Sequence, residues 1–540
     1  MIPTPSLRPR GAIRLACLCA AALTLTTPAA VAEPHPSGPS PSANEKDVLR
    51  ERTVALDVAD YRWLCASGGF GRATEHALDL FPGVRITLVQ DGRETEGDTV
   101  TWTGHVKGAP EQQAVISASH VCRAAKGTRP VIENWPLQQD RLAQKDRLAQ
   151  QNRPAVDAMI DLGARTYHVT TLPGERPLLR ITEENPGARR HPAPDNGALD
   201  ERAARKLHDS LEDRAPADPA DPVVIDVLAG YTPPAVRRVG GEQAMAARIG
   251  MAESYMNQAL ADSNVAARID VVGRYDTGYS GNQTAARMLE KLSDPQDRDL
   301  GATAHRHREE LGVDLVTVIN DVPVGSSGQA SLPTRGHLDD ELAYSAVDVQ
   351  SLSEWYNLGH ELGHNLGLFH DRVTLDGQDP SGGYRELLNS PSGTGWITPR
   401  RDYHTLMAYS ESCGRPCSPV NQYSNTENTV DGQPLGDENN NNAALARRTA
   451  PIVADYRALK VNRVRHRLTI DASPNGTVRP AVHGPYAPGT TVGVTAKPAA
   501  GYRVSAWIVD GRRHDITDEN VTMTMDRPYT LSAVFTPTGA

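Results

Sequence analysis

The segment Leu358-Gly-His360-Glu361-Leu-Gly-His364-Asn-Leu-Gly367-Leu-Phe-His370-Asp371 sets three histidines and a glutamate at spacings suited to metal chemistry. His360 and His364 are four residues apart, so on a helix they face the same way, about one turn apart. Two imidazoles so placed can share one Zn2+ at about 2.0–2.1 Å. Gly367 comes three residues after His364 and can end the helix with a positive φ. The turn predicted there brings His370 round as a third ligand. Three protein ligands leave a fourth position open, which separates a catalytic zinc site from a closed structural one. Glu361 points differently on the helix. Its carboxylate can take a proton from water acidified by the ion and hand it to a leaving amine. The bland alternative is an amphipathic helix with solvated histidines. It accounts for Leu362, Leu366 and Leu368 but not for the polar set. In 540 residues with 17 His, chance supplies the full pattern on the order of 10⁻⁴ times.

Elements able to position these groups surround the segment. Val223-Val-Ile-Asp-Val-Leu reads as a buried strand, and Ala267-Arg-Ile-Asp-Val-Val and Val313-Asp-Leu-Val-Thr-Val-Ile as two more. Between the first two, Gly241 to about Asn264 has helical periodicity, with Ala244, Ile249, Met251, Ala252, Met256 and Leu260 on a broad apolar face. Further helices are predicted near Ala285–Leu292 and Ala304–Leu311. Strands alternating with helices predict an α/β layer, here spanning residues 221–457.

Residues His360 to Asp371 resemble the extended zinc motif of the metzincin metalloendopeptidases. The Asp after the third His is similar to the reprolysin branch and its bacterial relatives, among them the peptidyl-Asp metalloendopeptidases. Thr405-Leu-Met407-Ala-Tyr409-Ser, with Met407 37 residues beyond His370, resembles the methionine turn of that group. The resemblance implies a catalytic domain with a mixed sheet and an active-site helix. It implies zinc on His360, His364 and His370, and Met407 packed beneath the imidazoles without ligating. Astacins and serralysins carry a Tyr two residues after the Met, which implies that Tyr409 contacts zinc or the oxyanion. Reprolysins usually lack it, so a purely structural Tyr409 is the alternative. The similarity runs on through Val223–Tyr231, the helix to Asn264, Val313–Ile319 and Asn421-Gln-Tyr-Ser-Asn with Gly432 and Gly436. The stretch from Ile319 to Trp355 lacks the cysteines common in eukaryotic reprolysins, so their disulfides cannot be carried over. Such a fold admits a structural Ca2+, but no spaced Asp/Glu cluster singles out ligands for one.

The flanks differ in character. Arg8, Arg10 and Arg14, the apolar stretch Leu15–Leu25 and Ala30-Val31-Ala32 read as a signal peptide over residues 1–32, with a membrane anchor as the alternative. Residues 33–51 read as a disordered leader, with a Pro- and Ser-rich start. Residues 52–182 read as a β-rich domain, with strands at Val84-Arg-Ile-Thr-Leu-Val, Thr99-Val-Thr-Trp-Thr-Gly-His, Gln112-Gln-Ala-Val-Ile-Ser and Pro177-Leu-Leu-Arg-Ile. Within it, Gln139-Asp-Arg-Leu-Ala-Gln and Lys145-Asp-Arg-Leu-Ala-Gln nearly duplicate each other, and their polarity predicts an exposed insertion. From Leu80-Phe-Pro-Gly-Val-Arg-Ile to Thr103-Gly-His this domain resembles the pro-regions of bacterial secreted peptidases. That implies a latent precursor whose pro-region covers the cleft and is cut away in the charged, Pro-rich linker 183–220. A plain spacer is the alternative reading of that linker. Residues 466–540 form short strands between Gly, Pro and Asn turns, a small all-β module resembling internalin-type B repeats. The resemblance implies a spacer or a cell-surface contact.

Outside the signal, four cysteines allow three pairings; Cys65–Cys122 and Cys413–Cys417 keep each bond within one predicted domain. A free Cys65 or Cys122 able to cap zinc is the alternative to the first. Net charge is −10, which argues against nucleic acid as a partner. No segment after the signal nears 18 apolar residues, so no membrane span is expected in the mature protein. The chain thus reads as a multidomain, secreted zinc endopeptidase acting on proteins or peptides. The competing reading is a surface or adhesion protein with an inactive metalloprotease-like domain.

Overall fold

A computed structural model of the chain describes residues 48–66, 68–122, 153–174, 176–185, 215–322, 327–334, 338–354 and 356–539. The signal, most of the leader, the duplicated hexapeptide and the arginine-rich centre of the linker (Arg189, Arg190, Arg202, Arg205, Lys206) lie outside the described residues. So does Trp355.

Among the described residues the N-terminal region has nine strands: β1 (Val48–Ala55), β2 (Gly71–Arg72), β3 (Glu75–Phe81), β4 (Val84–Glu96), β5 (Thr99–Val106), β6 (Ala109–Ser119), β7 (Ala155–Asp161), β8 (Thr166–Leu172) and β9 (Leu178–Glu184). Antiparallel pairing runs β1-β9-β8-β7-β6-β5-β4, with β3 on β4. Alternation puts Leu88, Trp102, Ile116, Ile160 and Leu179 into one core. Two ends differ from the sequence expectation. Strand β1 begins at Val48, inside the stretch read as leader, and β9 runs to Glu184, inside the stretch read as linker. The charges there are paired rather than solvated: Glu183, 7% exposed, binds Arg50 and Arg165. A disulfide joins Cys65 to Cys122, so neither is a free thiol.

The central region is an α/β layer. Strands β10 (Val223–Tyr231), β11 (Ala267–Asp276), β12 (Leu315–Asn320), β13 (Gly328–Ala330) and β14 (Tyr344–Asp348) form a sheet of order β11-β10-β12-β14-β13. All pair in parallel except β13, the antiparallel edge. The apolar run of β10 is buried on both faces, as parallel sheets require. Helices α1 (Pro233–Val239) and α2 (Glu242–Asp262) follow β10; α3 (Ala285–Ser293) and α4 (Gly301–Leu311) follow β11. Helix α2 is apolar on more than one side. Met245, Ile249, Met256 and Leu260 pack into the sheet's core. Met251 and Tyr255 instead meet Val115 and Met159 of the N-terminal sheet.

After the sheet come α5 (Asn357–Asn365), α6 (Arg372–Gln378) and α7 (Asn442–Val453), with short pairs β15 (Tyr403–His404) on β16 (Ser418–Pro419) and β17 (Thr429–Val430) on β18 (Gln433–Pro434). The C-terminal strands are β19 (Leu468–Ile470), β20 (Gly476–Pro480), β21 (Thr490–Pro498), β22 (Tyr502–Val509), β23 (Arg512–His514), β24 (Asn520–Met525) and β25 (Tyr529–Pro537). Four make a sheet of their own, β19-β25-β22-β23, over a core around Trp507. The others join the N-terminal sheet, where β21 pairs with β4 at Val492–Gly92 and β24 with β2 at Thr522–Gly71. Among the described residues no helix is long and apolar enough to cross a membrane.

Candidate active site

Helix α5 is a poor helix by propensity, with Gly359, Gly363 and Asn at both ends. Packing holds it. Leu358, Leu362 and Leu366 enter the core beside the sheet. The glycines let the following loop approach: a Cβ on Gly363 would fall 2.7 Å from Sδ of Met407, and one on Gly359 3.1 Å from Leu406. Burial pushes the Tyr423 phenol up, so it stays protonated and donates to the Gly359 carbonyl at 2.8 Å. The helix ends where the sequence predicts. Gly367 has φ +81°, and the Leu368 amide closes back on the Gly363 carbonyl at 3.1 Å.

That turn brings His370 onto the helix face. Its Nε2 lies 3.2 Å from Nε2 of His360 and 2.9 Å from Nε2 of His364, and all three rings are buried. Two ligands at 2.0–2.1 Å on a tetrahedral ion stand about 3.3 Å apart, so the separations suit one small cation. The donor chemistry suits it too. Nδ1 of His360 donates to the Leu406 carbonyl and Nδ1 of His364 to the Leu368 carbonyl, each at 2.8 Å. These bonds turn the Nε2 lone pairs inward, the arrangement metal-binding histidines use. Among the described residues this is the one group of three His, Cys, Asp or Glu side chains able to hold a metal.

Glu361 is buried beside the edge strand, where a Cβ on Gly328 would fall 2.1 Å from its Oε1. Tyr409 faces the histidines. Its hydroxyl is 3.4 Å from Nε2 of His360, and its ring centroid is 4.9 Å from that of His370. Asp371 ties the third histidine to the loop: one carboxylate oxygen caps α6 at Thr374 N (3.0 Å), and the other accepts from Thr374 Oγ1 (2.7 Å) and the Tyr409 amide (3.3 Å). Thr374 Oγ1 in turn meets Ser412 Oγ at 2.8 Å. Immediately after Ser412, Cys413 is bonded to Cys417, both buried. A cavity of about 270 Å³ opens between Asp371-Arg372-Val373 and Gly395–Arg401, with Arg372 and Arg401 in its wall.

Residues 221–424 match the model described as metallo-peptidase family M12. This stretch is similar to the M12 metallopeptidases. The matched residues contain α5, the Met407 turn and the Cys413–Cys417 bond, whereas α7 lies beyond them. The peptidyl-Asp metalloendopeptidase of Stenotrophomonas maltophilia (strain K279a) is 27% identical over 245 residues, covering 44% of this chain. The chain spans 54% of that relative's length. Residues 466–539 match a divergent InlB B-repeat domain. A solved structure described as a chaperone–substrate complex overlaps 44% of this chain and 36% of its own, at 20% identity and a TM-score of 0.35, too slight a likeness to argue from.

Some of the site's supporting residues were not singled out from sequence. Asn365 Nδ2 donates to the carbonyls of Ser331, Leu342 and Tyr344 at 2.9–3.1 Å, and Asn357 Nδ2 to that of Ser327 at 2.6 Å. They pin both ends of α5 near the β13 edge. The signal was present: two amides eight residues apart in a helix otherwise made of Leu, Gly and the site residues.

Proposed function

We propose that the chain is an exported zinc endopeptidase with the metzincin form of the M12 domain. In this reading His360, His364 and His370 hold the ion and Glu361 is the general base. The observation that carries it is the convergence of three Nε2 atoms, those of His360 and His364 lying within 3.2 Å of that of His370, with two of the rings fixed by carbonyls on their far nitrogens. A zinc ion bound there supplies Lewis acidity to the peptide carbonyl and lowers the pKa of water towards about 7. Glu361 takes the proton from the attacking water and delivers it to the departing amine. Tyr409 donates its hydroxyl to the oxyanion that develops at the carbonyl. Asp371 and Met407 do no chemistry; they hold the third histidine, the tyrosine loop and the helix in register.

The relative's name supports a preference for Asp at the cleaved bond. Arg372 and Arg401, in the wall of the cavity beside Asp371, are the guanidinium groups we assign to it. Arg372 is tied to Asn440 and to the carbonyls of Pro391 and Asn439; Arg401 is exposed and donates from Nη1 to the carbonyls of Ser412 and Cys413, each at 3.3 Å. The signal-like N-terminus and the two disulfides support export to an oxidising space. The B-repeat module supports attachment to a surface.

Casein hydrolysis by the purified chain, abolished by a chelator and restored by Zn2+, tests the activity. Absence of hydrolysis with one zinc bound per chain would favour an adhesion protein with an inactive domain. N-terminal sequencing of protein from the culture medium tests export.

A further inference from the structure

Helix α2 has almost no face left for water. Of its 21 residues, the side towards β10 and β11 fills the α/β core. The opposite side lies on strands β5, β6 and β7 of the N-terminal domain. The approach there is close enough to require glycine. A Cβ on Gly250 would fall 2.7 Å from Thr101 Oγ1 and 3.2 Å from Ser117 Oγ. Arg248 reaches across to Asp157 at 2.5 Å, with both side chains under one-tenth exposed. Gln258 Nε2 donates to Gln113 Oε1 at 2.7 Å. Arg268 and Arg463 bind Glu94 and Glu96, each at 3.0 Å, around a small polar cavity that Pro485 and Ala487 also line.

The same domain grips the C-terminal module. Besides the two short strand pairings, Phe70 packs edge-on against Trp507 and His514, and Arg72 binds Asp518 at 2.9 Å. It also touches the lead into the site. Tyr255, packed on Met159, meets the ring of Tyr356 edge-on at 5.0 Å, and Tyr356 immediately precedes α5.

We infer that the N-terminal β-domain is a permanent subunit of the peptidase, which stays bound to α2 and to the C-terminal module when the chain between it and the M12 domain is cut. A segment built to leave would expose Met251 and Tyr255 and break the buried Arg248–Asp157 pair. The subunit acts as a buttress: it backs α2, and through Tyr255 and Tyr356 it steadies the start of the histidine-bearing helix.

The test uses the full chain with a specific protease site placed within residues 195–201, outside the described region. After cutting, the two fragments are expected to elute together by size exclusion in 0.15 M salt and to give one native mass. Amide protection of residues 242–262 should match that of the uncut chain. Elution of the N-terminal fragment alone, or loss of protection across α2 on cutting, would overturn the inference. Both readouts are independent of peptidase activity, so they stand whether or not the zinc chemistry proves correct. A second chain carrying Gly250→Leu as well is expected to release the fragment after cutting. Fragments of that variant that still elute together would also overturn the inference, because the close approach at Gly250 would not be what holds the domain.

Discussion

Gly328 stands over the carboxylate of Glu361: a methyl group on that glycine would lie 2.1 Å from Oε1 and 2.6 Å from Cδ. The edge strand and the active-site helix therefore share a gap that a carboxylate fills only because the strand carries no side chain there. Gly328→Ala should leave zinc content unchanged and lower kcat by about 10²-fold, the effect of displacing a catalytic group by roughly 1 Å. Steady-state kinetics beside metal analysis decides it. Wild-type kcat would show that Glu361 has slack the structure does not.

Glu361 and His370 should separate by phenotype. Glu361→Gln keeps the metal and loses about 10²–10⁴-fold in kcat. His370→Ala loses the metal and the activity together. Equal zinc in both variants, or activity surviving in Glu361→Gln, would contradict the roles given to them.

Tyr409→Phe removes one hydroxyl near His360 and nothing from the packing of the ring. A donor to the oxyanion predicts a fall in kcat of about 10²-fold with KM little changed. A structural tyrosine predicts lower melting temperature and normal turnover.

Arg401 is exposed in the wall of the cavity beside Asp371. If it reads an acidic side chain, Arg401→Ala should flatten any preference for Asp in a peptide-library profile while leaving hydrolysis of neutral peptides intact. A profile identical to wild type would remove Arg401 from specificity.

Glu253 on α2 carries a pH dependence. Burial, with Asp270 and Glu94 nearby, pushes its carboxyl up to about 8, against the opposing pull of Arg268 and the Val271 amide. The folded state therefore prefers the protonated form. Its contribution to stability is fully present below the unfolded value of about 4.5 and is lost as pH rises towards 8. Thermal melts at pH 5 and pH 8 should differ more in wild type than in Glu253→Gln. Parallel pH slopes in the two chains would contradict this.

Chemistry-bearing residues were easier to read than their surroundings. The spacing of His360, Glu361, His364, Gly367 and His370 follows from helix geometry and one glycine turn, both local properties. The central strands at Val223 and Ala267 were equally plain, because strands buried on both faces are rich in apolar residues, interrupted in these runs only by Asp226, Arg268 and Asp270. Strands β1, β3, β7 and β8 were not identified. In β1, Arg50 and Glu51 interrupt the alternation, and Glu183 in β9 is buried only because Arg50 and Arg165 reach it. Periodicity also marked α2 as apolar without saying what covers it. Met251 and Tyr255 look like any core residues until the sheet that packs on them is known. Gly328 carries no signal at all in isolation, since its role is set by a helix that arrives about 30 residues later.

The ion pair between Glu96 and Arg463 joins residues 367 apart in sequence, and the contact of Thr524 with Gly68 spans 456. A ribosome adding about 5–20 residues per second takes roughly 20–70 s to travel from one member of the first pair to the other. The strands that emerge first must wait that long for the last partners in their own sheet. The part of β4 that meets β21 is meanwhile an open edge of the kind that invites pairing with other chains. Such topology is slow to assemble. It ties completion of the N-terminal sheet to the arrival of β21 and β24, so that synthesis itself sets the earliest moment at which that sheet can close.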